Sequence, residues 1–370
     1  MKVVVTGQVG LDKRAFLEAV VARAQEMGYP ATLFNVGKRM YAEAPDAIPG
    51  KILDLPISRL DSLRRSIFKD ILLESRDEPN VIVNTHATFR WNHGLFFAFD
   101  HDQMAQFDAD IYIVLVDGIE SIYARLQNDG HRQHDLKDLM VWREEEILAT
   151  ELLSRIVSGH GKFYIAVRGD GDLVETMARL IFQPEMKKCY LSFPMSHVMG
   201  LPDVRAEIDQ FRAQLKRYMV CFDPADMEHE KPMSIAAFAA ALKGERTMTV
   251  NGAAGPVEMN VEEVIRITPD IDGQIYVRDF KLIEQSDMII SLVPELPDGT
   301  PALSSGVERE LQHAHETTRD VFVIWKPKRD PSPFITETAT RVFRSTEEAI
   351  NYFVNNGYVT GTPSGSLFGG

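Results

Sequence analysis

The sequence lacks any apolar run of about 18 residues, the minimum for a membrane-spanning helix. Its start, MKVVVTG, also lacks the longer apolar region and the cleavage site of a signal peptide. Cysteine is almost absent, because Cys189 and Cys221 are the only two, and their spacing fits neither a zinc motif nor a disulfide framework. These absences predict a cytoplasmic protein with no membrane partner.

The sequence also has fewer basic residues than acidic ones. Forty Lys and Arg residues stand against 54 Asp and Glu residues, which gives a formal net charge of -14. This sign excludes a protein that holds a long nucleic acid by neutralising its phosphates. A small anionic ligand remains compatible, because a few local donors outweigh the global field at short range.

The length and composition are those of a globular protein with two or three domains. The chain has 370 residues, of which 45% are hydrophobic and 25% charged. Short apolar runs alternate with helical patterns throughout, and this alternation predicts an α/β fold with parallel sheets covered on both faces. The predicted strands lie at residues 3–5, 31–36, 81–84, 111–116, 163–167, 189–193, 219–221, 288–293 and 321–325.

The alternation is interrupted once, at Gln183-Pro184-Glu185. We therefore expect two doubly wound parallel-sheet domains, at residues 1–183 and 187–360. Residues 223–275 are expected to form an insertion or lid in the second domain. The Gly- and Ser-rich residues 361–370 are expected to form a flexible tail.

The first predicted strand leads into a phosphate-binding loop with parts missing. The pattern GxxxxGK[ST] uses glycines to turn backbone N–H groups inward, a Lys that reaches the phosphates and a hydroxyl that binds magnesium. Gly7 and Lys13 stand at the expected spacing, with Gly10 between them. Asp12 replaces the second glycine and Arg14 the hydroxyl residue. Both phosphate and magnesium binding are therefore expected to be weakened.

The first domain resembles the archaeal-type adenylate kinases, which are P-loop nucleoside monophosphate kinases. The resemblance covers about residues 1–183 and rests on MKVVVTGxxG, VNTH at residues 83–86 and ADIYIV at residues 109–114. The family has Asp-Thr-His, whose Asp supports magnesium, where this chain has Asn84. In the lid stretch, Arg132 is kept, with His131 and His134 where another Arg is expected.

This resemblance implies a nucleotide site that holds ATP and Mg in an active member of the family. The residues it marks as nucleotide-binding are Gly7, Gly10, Lys13, Arg125 and Arg132. Phosphoryl transfer is expected to be weakened by Asp12, Arg14 and Asn84. The alternative to a kinase is therefore a scaffold that binds a nucleotide or assembles an oligomer without catalysis.

Two carboxylates of the second domain stand in contexts that suit glycosidic chemistry. Cleavage of an N-glycosidic bond through a covalent intermediate needs a carboxylate nucleophile and an acid that protonates the departing base. Asp279 precedes a predicted helix at residues 280–285, and Glu310 lies in the opening turns of a helix after Ser304-Ser305-Gly306. A carboxylate near a helix N-terminus is expected to stay ionised, which suits a nucleophile. A helix cap and a surface acid are the ordinary interpretation of such residues.

The second domain resembles the nucleoside 2-deoxyribosyltransferase family, in particular its branch that hydrolyses 2′-deoxynucleoside 5′-monophosphates. The shared elements are RDFxxxEQSDMII at residues 278–290 and SSGVERELQHA at residues 304–314, and the resemblance covers about residues 187–350. It implies that Glu310 is the nucleophile and that Asp279 donates a proton to the leaving base.

The same resemblance implies the substrate-binding residues. Ser304, Ser305 and Gly306 would hold a 5′-phosphate, and Ser192 and Phe193 would contact the sugar and base. Transferases of the family often have Asp where Ser304 stands, and a Ser tolerates a phosphate better because it adds no repulsive charge. Nucleotides are therefore expected as substrates rather than nucleosides.

The sequence thus predicts a nucleotide N-glycosidase that acts on a small nucleotide and needs no cofactor for the cleavage. A homo-oligomer is also expected, since members of the family that the second domain resembles usually build the site across a homodimer. Three alternatives stay open: a nucleoside 2-deoxyribosyltransferase, a nucleoside monophosphate kinase and a nucleotide sensor without catalysis.

Overall fold

The chain forms two compact units in a computed structural model. The structure describes residues 1–48, 52–91, 94–128, 134–169, 171–195, 198 and 200–359. The first unit is Met1–Phe182 with Met227–Gly273, and the second is Gln183–Asp226 with Gln274–Gly370. Within the described ranges, no helix is both long and apolar enough to span a membrane.

The first unit contains a five-stranded parallel sheet in the order β2-β3-β1-β6-β7. Its central strand is fully buried at Val3, Val4 and Val5, as expected for a strand covered on both faces. The sheet strands are β1 (Lys2–Thr6), β2 (Thr32–Asn35), β3 (Val81–Asn84), β6 (Ile111–Val116) and β7 (Phe163–Val167). The helices are α1 (Lys13–Glu26), α2 (Val36–Glu43), α3 (Ile57–Glu74), α4 (His101–Phe107), α5 (Ile119–Asn128), α6 (Leu136–Ser158) and α7 (Asp172–Phe182).

Two antiparallel hairpins complete the first unit. One is formed by β4 (Thr88–Trp91) and β5 (Gly94–Phe97), and the other by β10 (Thr247–Gly252) and β11 (Gly255–Asn260). The second hairpin follows helix α9 (Glu230–Leu242).

Most of the insertion predicted at residues 223–275 lies in the first unit and not in the second. Glu230 accounts for this, because its carboxylate is completely buried and lies 2.5 Å from Nη1 of Arg143 on α6. The hairpin tip also packs tightly, since a Cβ atom on Gly252 would lie 2.7 Å from Cγ of Glu120.

The second unit contains a five-stranded parallel sheet in the order β14-β13-β12-β8-β9. Numbered within the unit, this is the order 2-1-3-4-5 of flavodoxin-like sheets, in which ligands bind where the strand order reverses. That point lies between β8 and β12. The strands are β8 (Lys188–Ser192), β9 (Val220–Phe222), β12 (Met288–Val293), β13 (Asp320–Trp325) and β14 (Arg341–Phe343). The helices are α8 (Pro202–Lys216), α11 (Ser305–Glu316), α12 (Pro333–Thr336) and α13 (Thr346–Asn355).

The helix predicted at residues 280–285 is the end of a much longer one, α10 (Val261–Glu284). Pro269 lies inside this helix, where proline normally breaks the hydrogen-bond ladder. Tertiary packing overrides that tendency, since the flanking side chains of Val264, Ile267 and Ile271 are fully buried. The tail at residues 361–370 lies outside the described residues.

Candidate functional site

The carboxylate of Glu310 is bound by two hydroxyl groups from the first strand of the second unit. Ser192 donates a hydrogen bond from Oγ to Oε2 of Glu310 at 2.6 Å, and Tyr190 donates from its hydroxyl to Oε1 at 3.1 Å. The two donors lie at alternate positions of β8, so their side chains share one face of the strand. Both are completely buried, which fixes the direction of their hydroxyl groups.

Glu310 is the sixth residue of α11 and lies beyond its first turn. The helix dipole therefore gives it little help, contrary to the expectation that it would be kept ionised. Burial raises the pKa of Glu310 to about 8, and the nearby carboxyl of Asp279 adds to this rise. The hydrogen bonds from Ser192 and Tyr190 lower the pKa but do not cancel the rise.

Asp279 lies near the C-terminal end of α10, so the prediction that it precedes a helix is wrong. Its side chain is buried, and Oδ1 has no hydrogen-bond partner among the described residues. Burial raises the pKa of Asp279 to about 6, while the guanidinium of Arg278, with Nε 3.9 Å from Oδ1, opposes the rise. A buried carboxyl with this pKa is suited to donate a proton near neutral pH.

The two carboxyl groups form an interacting pair. Between their pKa values of about 6 and about 8 the pair binds one proton. The hydroxyls of Tyr190 and Ser192 favour the charge on Glu310, and Arg278 favours it on Asp279. At neutral pH the site therefore contains one carboxylic acid and one carboxylate.

The other residues predicted to contact substrate lie in different settings. Ser304 is the N-cap of α11, and its Oγ accepts a hydrogen bond from the backbone N–H of Val307 at 3.2 Å. Ser305 and Gly306 begin the same helix and are exposed, so the turn leads directly to Glu310. Phe193 instead packs into the core, with its ring edge-on to Phe211 at 6.4 Å.

Tyr190 was not predicted from the sequence as a site residue. A single Tyr in an apolar strand is usually a core residue, and this one is fully buried. A signal was nevertheless present, because Ser192 was predicted as a site residue and Tyr190 precedes it by two positions on the same strand face.

The loop of the first unit contains two glycines with positive φ angles in close-packed surroundings. Gly7 and Gly10 have φ values of 142° and 88°, and side chains there would collide with Leu11, the backbone of Leu115 and Leu126. Asp12, which replaces the second glycine, adopts the left-handed conformation with φ 50°.

Lys13 begins α1 and is buried. Its Nζ donates to the carbonyl of Gly7 and lies 3.2 Å from Nδ1 of His86. Burial lowers the pKa of Lys13 to about 7, and the carboxylate of Glu146 opposes this. Glu146, which the sequence did not indicate, accepts hydrogen bonds from the N–H groups of Gly7 and Ala87 at 3.0 and 2.7 Å.

The remaining cations predicted to bind nucleotide have protein partners or lie outside the structure. Arg125 pairs with Asp117 at 2.7 Å and donates to the carbonyl of Gly10 at 3.2 Å. Arg132, with His131, lies outside the described residues. The carboxylate of Asp12 lies 3.5 Å from Arg168, which compensates the charge that this substitution adds to the loop.

The residues of this loop do not fit a magnesium ion. Arg14 stands at the position of the hydroxyl ligand and pairs with Glu18 at 3.6 Å. Asn84 stands at the position of the supporting carboxylate and donates to Oδ1 of Asn35 at 2.8 Å. Among the described residues, no group of three or more His, Cys, Asp or Glu side chains could hold a metal ion.

The chain is similar to one family model and to solved structures. A family model described as "AAA domain" matches residues 6–143. Among solved structures, the chain is similar to the shikimate kinase of Bacteroides thetaiotaomicron, with 12% identity, a TM-score of 0.34 and coverage of 50% of this chain and 97% of that one. No curated protein matches the chain.

The family match and the sheet topology show two parallel-sheet α/β domains, of which the first is P-loop kinase-like. The prediction of a kinase-like N-terminal half is therefore confirmed at this level. The resemblance of the second unit to the deoxyribosyltransferases stays a prediction.

Proposed function

We propose that the second unit hydrolyses the N-glycosidic bond of a nucleoside 5′-monophosphate, with Glu310 as nucleophile and Asp279 as acid. The observation that carries the proposal is the setting of Glu310, whose two oxygens accept hydroxyl hydrogen bonds beside a second buried carboxyl. The pKa values of about 6 and about 8 place the shared proton mainly on Glu310 at neutral pH, so the reacting form is the one in which the proton has moved to Asp279. In that form the pair supplies the acid and the nucleophile of a retaining glycosidase.

The chemistry would take place in two steps. In the first, an oxygen of Glu310 attacks the anomeric carbon, the bond to the base breaks, and the base leaves with the proton of Asp279. In the second, water attacks the same carbon, the ester to Glu310 breaks, and Asp279 accepts a proton from the water. The products are a free base and a sugar 5′-phosphate, and both carboxyl groups return to their starting states.

The start of α11 supports a phosphorylated substrate. A helix N-terminus presents backbone N–H groups that favour an anion, and residues 304–306 contain no carboxylate that would repel it. Glu310 lies about one turn further along the same helix, so a phosphate at the turn would place a sugar near its carboxylate.

Base release from nucleotides tests this proposal. The full-length protein would be incubated with 2′-deoxy- and ribonucleoside 5′-monophosphates, and the free base would be measured by chromatography. We expect release by the wild type, loss of at least about 10³-fold in Glu310→Gln and retention in Glu308→Gln, whose site is exposed on the same helix. Equal release by wild type and Glu310→Gln would contradict the proposal.

Addition of a second free base distinguishes hydrolysis from base exchange. If a nucleotide of the added base accumulates in place of the sugar phosphate, the protein is a deoxyribosyltransferase with the same nucleophile. Mass analysis after rapid quenching is expected to find the sugar phosphate on the peptide that contains Glu310 in both cases.

A second candidate function concerns the first unit, which we infer binds a nucleotide phosphate at the loop of Gly7, Gly10 and Lys13. The loop backbone and the buried Lys13 favour it, as does the family match to an AAA domain. Because Arg14 and Asn84 do not fit magnesium, a sensor is favoured over a kinase.

Calorimetric titration with ATP, ADP and AMP, with and without magnesium, tests this second function. A sensor is expected to bind with an affinity that magnesium does not change, and Lys13→Ala is expected to weaken it. ATP-dependent phosphorylation of AMP by the wild type would identify a kinase instead.

A further inference from the structure

In the second unit, the end of α10 is joined to α11 by a row of side chains from each helix, which we call the seam. The row on α10 consists of Tyr276, Phe280 and Glu284, and the row on α11 consists of Arg309 and His313. Within each row the residues are four positions apart, the spacing that places side chains on one face of a helix. The seam therefore uses one face of each helix.

His313 contacts two residues of α10. Its ring stacks on the ring of Phe280, with centroids 4.4 Å apart and an angle of 19° between the planes. Nε2 of His313 lies 3.1 Å from Oε1 of Glu284, one turn further along α10. Tyr276, one turn before Phe280, meets the Phe280 ring edge-on at 4.5 Å. Phe280 is therefore in contact with one aromatic ring from each helix.

The carboxyls of Asp279 and Glu310 lie beside the seam at the same level. Asp279 directly precedes Phe280, and Glu310 lies three residues before His313, within one helical turn. The contact of Phe280 with His313 therefore fixes how far Asp279 lies from Glu310. The interaction of the two carboxyls depends on this separation, because the energy between charges falls with distance.

We propose that His313 is a positioning residue of the glycosidase, and that its stacking on Phe280 holds the carboxyl of Asp279 at the separation from Glu310 that the reaction needs. This role rests on the proposed function, whereas the separation of the two carboxyls can be tested without activity. His313 itself does not react, since its ring face contacts Phe280 and its Nε2 contacts Glu284.

Loss of the stacking is expected to let Asp279 move away from Glu310. Apart from burial, the pKa of Glu310 depends on two hydroxyls of β8, which lower it, and on the carboxyl of Asp279, which raises it. A larger separation should therefore lower this pKa and move the acid limb of the kcat/KM profile for base release to lower pH. A misplaced acid should also lower kcat, by up to about 10²-fold.

The pH profiles of His313 variants of the full-length protein give the first test. His313→Ala removes the stacking and is expected to show the lower kcat and the shifted acid limb. His313→Phe keeps an aromatic ring against Phe280 and is expected to retain the kcat and the acid limb of the wild type. Because phenylalanine cannot ionise, this rescue would exclude a charge on His313 as the cause of the shift in His313→Ala.

His315→Ala is the matched control, because His315 is exposed on the same helix, and it is expected to behave as the wild type. An unshifted acid limb in His313→Ala would overturn the proposal. An equal shift in His313→Phe would overturn it as well, since the stacking would then have no role.

Calorimetry gives a second test that needs no activity. The melting temperature of Glu310→Gln minus that of its parent should rise between pH 5 and pH 8, and it should rise less in a His313→Ala background, where the pKa of Glu310 lies closer to its ordinary value. Equal rises in the two backgrounds would overturn the role of His313 even if the wild type releases base. A smaller rise in the His313→Ala background, in a protein that releases no base, would refute the glycosidase and still support the positioning of Asp279 by His313.

Discussion

Tyr190 donates a hydrogen bond from its hydroxyl to Oε1 of Glu310 at 3.1 Å, although 120 residues separate the two in the chain. Burial and the carboxylates of Asp279 and Glu310 raise the pKa of Tyr190 well above its ordinary value, so the phenol keeps its proton. A phenol that keeps its proton donates a hydrogen bond to the carboxylate of Glu310. This hydrogen bond stabilises the charged form of Glu310. The parallel pairing of β8 with β12 brings this donor to the point where the strand order reverses.

Substitution of Tyr190 by Phe removes one of the two donors that lower the pKa of Glu310. In the proposed reaction the nucleophile Glu310 must be ionised, so the acid limb of the kcat/KM profile for base release is expected to move to higher pH. A hydrogen bond to a charged group contributes about 1.5–3 kcal/mol, which corresponds to a loss of about tenfold or more on the acid limb. The control Tyr352→Phe, in the same unit, should leave the pH profile unchanged. An unchanged pH profile for Tyr190→Phe would show that its hydrogen bond to Glu310 has no role.

Substitution of Asp279 by Asn is expected to have two separable effects. Loss of the acid should lower kcat by about 10²–10⁴-fold, the usual contribution of general acid catalysis. The carboxyl of Asp279 also raises the pKa of Glu310, so its removal should move the acid limb to lower pH, opposite to the shift in Tyr190→Phe.

Rate measurements with a substrate whose leaving group needs no proton separate these effects. Such a substrate should restore most of the kcat of Asp279→Asn while the shifted acid limb remains. An unshifted acid limb would show that the two carboxyl groups do not interact.

The order of motifs in the sequence was enough to nominate Asp279 and Glu310, but not to describe their surroundings. The Asp279 prediction assumed a short helix at residues 280–285. In the structure α10 begins at Val261 and persists through Pro269, since the burial of its apolar face outweighs local propensity.

The pKa of Glu310 also could not be predicted from the sequence. A helix start was visible in Ser304-Ser305-Gly306, and it favours an ionised carboxylate within the first turn. Desolvation depends on what packs around the side chain after folding, and it dominates the pKa of Glu310. The parallel α/β class of the sheets was predictable, because apolar runs alternate with helical patterns. The packing of residues 227–273 on the first unit was not, because it depends on contacts between distant residues, such as the buried pair of Arg143 and Glu230.

The raised pKa of Glu310 also predicts how stability depends on pH. Its ordinary value of 4.5 rises to about 8 in the folded protein, so the folded state binds the proton more tightly than the unfolded state. Stability from this group is complete below pH about 4.5 and is lost as pH rises towards 8. The variant Glu310→Gln lacks the ionisable group. The difference between its melting temperature and that of the wild type should therefore increase from pH 5 to pH 8.

Calorimetry at pH 5, 6.5 and 8 measures this difference. Glu308→Gln is the control, since this exposed side chain lies two residues away, and its difference from the wild type should stay constant. A constant difference for Glu310→Gln as well would refute the raised pKa of Glu310.

The buried ion pair of Arg143 and Glu230 predicts which contact holds residues 227–273 to the first unit. Arg143→Met would leave the carboxylate of Glu230 buried without its cation, which typically costs about 3–5 kcal/mol. We expect a loss of this size in denaturant unfolding, together with faster proteolysis between residues 227 and 260. The control Arg155→Met removes a pair with Glu151 on the same helix in which Arg155 is 54% exposed, and it should cost less than about 1 kcal/mol. The double variant Arg143→Met/Glu230→Met should recover most of the loss, and equal losses in Arg143→Met and Arg155→Met would show that the pair does not anchor the segment.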